Sequence, residues 1–297
     1  MSDLVCYIPS YNDSDWVRES LASISDWDVV ISDNDSDEPH RSALADLAGP
    51  RVRVVRHETS LGRVGNWRAC VEHFLASGAD WMKFLMAGDL HKPDSAAIFR
   101  RAIQRHPTVR HIIPRIENVW PHGRKLWSVT EREGVVLPQN AMAGVAGEGN
   151  IFHGLSAPLF HVDTVKGGFT FGEPTLSFCA DMMFSMNVAM RTPTLYITEV
   201  TTEFIAARRR NMQRGVYTLE HFLEEGLVRL RAADAFERIT LDRPRRNQLV
   251  ASIVGWLQIC VSQSLEKLAG DVLFPFETLQ VDATTPASGE TSQDRIE

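Results

Sequence analysis

Along the first 116 residues, short β-rich apolar runs alternate with segments whose apolar residues recur at helical spacing. Leu4-Val-Cys-Tyr-Ile8 reads as a buried strand that ends at Pro9. Asp13-Ser-Asp15 supplies N-caps for a helix carrying Trp16, Val17, Leu21 and Ile24. Val29 to Ile31 and Val52 to Val55 are further strands, the latter after the turn pair Gly49-Pro50. Val64 to Ser77 is predicted as a helix with Val64, Trp67, Val71 and Phe74 on one face and Gly78 as its stop. A strand over Trp81 to Met86, a helix over Asp94 to His106 ended by Pro107, and a strand over His111 to Ile116 complete the series. This rhythm predicts an α/β fold with a mostly parallel, doubly wound sheet.

The pattern loosens between Asn118 and Phe178, where Gly and Pro are frequent and only short strands such as Pro158 to Val162 stand out. That stretch is expected to carry binding loops. A short helix over Asp181 to Met190 and a strand over Leu195 to Glu199 follow. From Tyr217 two helical stripes appear, one through Leu219, Phe222, Leu223, Leu227 and Leu230, the other through Leu249, Ile253, Leu257, Val261 and Leu265. The expected organisation is a domain over residues 1–215, in halves 1–117 and 118–215, then a helical extension over 216–279. Residues 280–297, rich in Thr, Ser, Asp and Glu, read as a disordered tail.

A net charge of -7 argues against a protein that coats nucleic acid, so no stable nucleic-acid partner is expected. The four cysteines are widely spaced and form no Cys-x-x-Cys pair, which excludes a zinc knuckle or a dense disulfide framework. The chain enters its first strand without a basic leader, and no apolar run reads as long enough to span a bilayer. A cytoplasmic location is therefore expected. The apolar helix around Trp256 offers a surface for a second copy of the chain.

Four segments concentrate the polar chemistry: Ile8-Pro-Ser-Tyr-Asn12, Ile31-Ser-Asp-Asn-Asp-Ser-Asp37, Leu61-Gly-Arg-Val-Gly-Asn-Trp67, and Lys83-Phe-Leu-Met-Ala-Gly-Asp-Leu90. Three lie at predicted strand ends and the fourth enters a helix. In an open parallel sheet, strand ends of one edge face a common ligand crevice.

Together these segments resemble the family-two glycosyltransferases, which have a GT-A fold and use nucleotide-sugar donors. The resemblance extends over roughly residues 4 to 210. It implies an inverting enzyme that moves a sugar from a UDP- or dTDP-type donor to an acceptor hydroxyl. It implies that Pro9, Ser10, Tyr11 and Asn12 line the nucleotide pocket, and that Asp33 reads the base imide. Gly62, Arg63 and Asn66 would face the diphosphate, as would Arg210 from the Arg208-Arg-Arg210 run. Gly88 and Asp89 would form the diphosphate end of the donor site, with Asp89 ligating Mn²⁺ or Mg²⁺. His153, Gly154 and Ser156 would border the acceptor, and Asp181 in Phe178-Cys-Ala-Asp181 would be the catalytic base, with Glu199 and Glu203 as alternatives. The acceptor would be a glycan, a lipid-linked intermediate or a small molecule. Relatives carry a second carboxylate where this chain has Gly88. The alternative expectation is therefore a catalytically degenerate domain that binds a nucleotide sugar.

Overall fold

The computed structural model describes residues 3–128, 130–166, 171, 176–206 and 219–270. In chain order the elements are β1 (Leu4–Ser10), α1 (Ser14–Ala22), β2 (Asp28–Asp33), α2 (His40–Ala45), β3 (Val52–Arg56), α3 (Gly62–Ser77), β4 (Trp81–Phe84), β5 (Leu90–His91) and α4 (Ser95–Arg105). Then come β6 (His111–Trp120), β7 (Gly123–Trp127), β8 (Gly134–Val136), α5 (Pro138–Glu148), β9 (Leu159–His161), α6 (Val162–Val165), α7 (Ala180–Ala189), β10 (Thr194–Ile205), α8 (Leu219–Thr240) and α9 (Arg243–Gly270).

One sheet runs in the order β3-β2-β1-β4-β9-β6-β10-β5, with β7 on β6 and β8 on β10. The β3-β2-β1-β4 half is parallel throughout, and so is the β6–β10 pair. β9 sits between β4 and β6, antiparallel to both, and joins the two parallel blocks. Alternation along β1 divides the core. Val5 and Tyr7 enter one apolar layer with Phe74, Phe84, Phe171 and Phe184, while Leu4, Cys6 and Ile8 enter the other with Trp27, Leu85 and Phe99. In the first layer Phe171 stacks on Phe184 at 4.3 Å.

Two sequence expectations change here. The stretch after Asn118 is not mainly loop: β6 continues to Trp120, β7 hairpins back on it, and α5 starts with Pro138 in its first turn. Pro at that position has no helical N–H to lose. β4 is also shorter than the apolar run, because the chain turns at Gly88, whose φ is +92°.

Helices α8 and α9 share the first apolar layer, through Phe222-side residues Val228, Ala232 and Ala233 and through Leu249 and Ile253. Gly226 lets them meet closely, since a Cβ there would lie 2.7 Å from Leu257. The Arg229 guanidinium covers the Trp256 ring at 4.2 Å. The outer face of α9 exposes Val254, Ile259 and Leu265. By length and composition the Arg243–Glu266 part of α9 is apolar enough to cross a bilayer, contrary to the sequence expectation. In this fold its inner face packs on α8.

Candidate active site

The C-terminal ends of β1, β2 and β4, the start of α3 and the segment between α5 and β9 enclose a cleft of about 1010 Å³. Pro9, Ser10, Tyr11 and Asn12 line it from β1, Gly62, Arg63 and Asn66 from α3, His153, Gly154 and Ser156 from the loop before β9, and Asp181 from α7. Eleven of the residues expected at the site thus meet in one cavity. Asp33, Gly88 and Asp89 do not line it, and Arg210 lies outside the described residues, as do Arg208 and Arg209.

The nucleotide side is held by polar cross-links between strand ends. The Asn66 amide donates to the carbonyls of Ser32 (3.1 Å) and Ser10 (3.5 Å) and accepts from the Ser32 hydroxyl at 2.6 Å. Asn66 therefore pins β1 to β2 from the second turn of α3. Asn12, at φ +56°, exchanges two hydrogen bonds with Asp37: its side-chain amide donates at 3.0 Å and its oxygen accepts the Asp37 N–H at 2.8 Å. Asn34 lines the cleft and accepts the Leu61 N–H at 2.8 Å, which fixes the approach to α3. Tyr11 is 50% exposed at the rim, a flat surface available to a base. Arg63 is exposed with its guanidinium 5.2 Å from the Trp67 ring, and among the described residues no carboxylate pairs with it. The N–H groups that open α3 lack intrahelical acceptors and suit an anion.

Asp33 lies behind this wall. It is 1% exposed, one oxygen accepts the Ser36 N–H at 3.0 Å, and the other meets Arg56 at 3.0 Å. The carboxylate is engaged in shaping the 34–37 loop.

Asp89 is also 1% exposed. Its Oδ2 accepts the Ser156 hydroxyl at 2.6 Å and its Oδ1 accepts the Ile205 N–H at 3.2 Å. The same Ser156 oxygen accepts the Met86 N–H at 3.0 Å. The Ser156 carbonyl receives the Lys83 ammonium and the Thr202 hydroxyl. Burial pulls Lys83 down to about 7. Asp89 thus brackets the end of β4, the loop before β9 and the end of β10 together. Among the described residues no three His, Cys, Asp or Glu side chains are grouped to hold a metal. A hard cation needs several free oxygen ligands, and the Asp89 oxygens are already engaged inside the protein. The residues present do not fit the Mn²⁺ or Mg²⁺ site that the resemblance implies. Gly88 likewise donates its N–H inward, to the Ser20 hydroxyl at 2.9 Å.

The far side of the cleft carries the acids. Asp181 sits in the first turn of α7, where the helix field favours its charge. Its Oδ2 lies 3.5 Å from where a Cβ on Gly154 would be, and Gly154 has φ +75°. His153 is buried against Trp127 at 5.3 Å, and burial lowers its ring to about 4, so it is neutral at pH 7. Glu203 does not enter the cleft: Lys92 and Arg124 hold its carboxyl below the usual range. Glu199 does not line it either. Sequence reasoning missed Trp127, Glu148, Asn150, His221 and Glu225, which do. The His221 and Glu225 pair, one turn apart on α8 with Nε2 and Oε2 at 3.6 Å, was the available signal.

Residues 6–152 match the family model described as Glycosyl transferase family 2. These residues form a family 2 glycosyltransferase domain. The fold is also that of solved structures of S. aureus TarS. TarS 1-349 in complex with UDP-GlcNAc aligns with a TM-score of 0.64 at 13% identity, covering 84% of this chain and 71% of that one. Its complex with UDP aligns at 0.61 and 14% identity over 84% and 70%. No curated protein matches the sequence. The GT-A fold and the transferase class expected from the four segments are therefore in place.

Proposed function

We propose that this chain is an inverting glycosyltransferase that uses a UDP-type sugar donor and an acceptor hydroxyl, with Asp181 as the base. The observation that carries the reading is the meeting, within one cleft, of a helix start at Gly62, which suits an anion, and a carboxylate at Asp181. The donor class is supported by the solved complexes of TarS with UDP and UDP-GlcNAc, which share this fold. In the reaction the acceptor O–H gives its proton to Asp181 as its oxygen attacks the anomeric carbon. The bond from that carbon to the diphosphate oxygen breaks, and its electron pair leaves with the nucleotide. Arg63 and the opening N–H groups of α3 stabilise the charge that grows there. Tyr11 supports the base. Neutral His153 adds no positive charge beside Asp181, so the base stays available. No step runs through a metal ion, since Asp89 is committed to Ser156 and Ile205.

Substituting Asp181→Asn should cut turnover of a UDP-sugar by about 10²- to 10⁴-fold, the usual worth of general-base catalysis. UDP affinity measured by calorimetry should stay within about twofold of the wild type, because the group acts on the acceptor. Undiminished turnover would overturn the assignment. A wild type that binds UDP yet releases no sugar from any UDP-sugar, to acceptor or to water, would favour the degenerate alternative.

A further inference from the structure

We propose that Glu224 is the positioning residue for Asp181, so that α8 forms part of the catalytic unit; this rests on Asp181 as the base. Helix α7 begins without a local cap, since the side chain of its N-cap residue, Cys179, makes no capping hydrogen bond. The free N–H groups before it are instead gathered by a carboxylate from a distant element. Glu224 accepts from the backbone of Ser177 at 2.8 Å, Phe178 at 2.6 Å and Cys179 at 2.9 Å. Three consecutive donors on one ionised side chain form a charge-assisted clamp, roughly twice as strong per bond as neutral contacts. The Cys179 thiol also reaches the His221 carbonyl at 3.8 Å, so the segment is tied to α8 twice.

The placement has a chemical consequence. Phe178 and Cys179 themselves line the cleft, and Asp181 follows two residues after the last clamped N–H. The direction in which Asp181 leaves the helix start is therefore set by Glu224. A base has to sit within hydrogen-bond reach of the acceptor hydroxyl, and small displacements are costly. Glu224 does not line the cleft and touches no reacting atom. Its adjacent residue, Glu225, does line the cleft and pairs with Arg229 at 3.2 Å. The two neighbouring glutamates thus have separate tasks.

The test compares full-length Glu224→Gln, Glu224→Asp and Asp181→Asn with the wild type. In Glu224→Gln, backbone hydrogen exchange over residues 177–182 should accelerate about tenfold while β1 stays protected. The kcat for UDP release from a UDP-sugar should fall about 10- to 100-fold, with UDP affinity within about twofold. Glu224→Asp, which keeps the charge, should recover part of the rate and part of the protection. A purely structural role would lower stability and leave kcat alone. Unchanged exchange over 177–182, or a kcat within about twofold of wild type in both Glu224 variants, would overturn the proposal. Full turnover in Asp181→Asn would instead overturn the base assignment on which it rests.

Discussion

Replacing Ser156 by Ala removes one oxygen that serves two partners, a buried carboxylate and a half-buried N–H. In the wild type that oxygen donates to Asp89 Oδ2 at 2.6 Å and accepts the Met86 N–H at 3.0 Å. The substitution leaves the buried Asp89 carboxylate oxygen and the Met86 N–H at the cleft wall without this partner. A hydrogen bond to a charged group is worth about 1.5–3 kcal/mol, and a neutral one about 1 kcal/mol. The expected loss of stability is therefore about 3 kcal/mol. In equilibrium unfolding by urea, with a slope of about 3 kcal/mol/M for a domain of this size, the midpoint should fall by about 1 M. Circular dichroism and tryptophan fluorescence would both follow the transition, with Trp81 on β4 reporting close to the lesion. A midpoint within about 0.2 M of wild type, at unchanged slope, would refute the bracket role of Asp89. The same samples test the metal question independently. With Asp89 serving as a bracket, UDP affinity of the wild type should be equal within about twofold in EDTA and in Mn²⁺.

Two further perturbations separate the nucleotide wall from the core. Tyr11→Ala should weaken UDP binding about 5- to 30-fold in calorimetry, the worth of one aromatic stacking partner, with the melting temperature unchanged because the ring is exposed; unaltered affinity would remove Tyr11 from the base site. His111 is fully buried on β6, stacked on Phe160 at 5.1 Å, and burial lowers its ring to about 3. The unfolded chain takes up this proton near pH 6.5 while the folded ring refuses it. Stability is thus fully present above pH 6.5 and falls by about 1.4 kcal/mol per pH unit on acidification towards pH 3. His111→Gln should flatten that slope between pH 6.5 and 4; an identical slope would place the proton uptake elsewhere.

The strands β1, β2 and β4 were legible because they are buried on both faces, so apolar runs and turn residues mark them directly. The residues between Asn118 and Gly149 were not. β7 is exposed at every position, and an exposed edge strand carries no apolar alternation to read. α5 is built largely from Ala, Gly and Val and has no strong polar face against which its buried side stands out. Among the expected site residues, those offering backbone or an exposed ring, such as Pro9, Tyr11 and Gly62, do line the cleft. The carboxylates were harder, because a sequence states that Asp33 and Asp89 are acids without saying what occupies them. Arg56 and Ser156 do so, from strands and loops far along the chain. His221, Glu224 and Glu225 escaped for a related reason. They lie off the apolar stripe of α8, where polar residues ordinarily face solvent, and only the fold brings His221 and Glu225 to the cleft wall and Glu224 to the backbone ahead of α7.

These placements change what the missing carboxylate at Gly88 means. Were Asp89 a metal ligand, its neighbour's absence would halve the protein's share of the site, and a degenerate domain would be the natural outcome. In this fold Gly88 turns the chain, its N–H bound by Ser20, and Asp89 has a bracketing contact with Ser156 that needs no second carboxylate. The groups able to act on a sugar donor lie elsewhere in the cleft, at Tyr11, Arg63, the start of α3 and Asp181. The half-buried Glu224 carboxylate, gathering three N–H groups ahead of Asp181, suits a base whose position matters. That clamp holds the segment from which Asp181 projects, so with Asp181 as the proposed base it favours catalysis over binding alone.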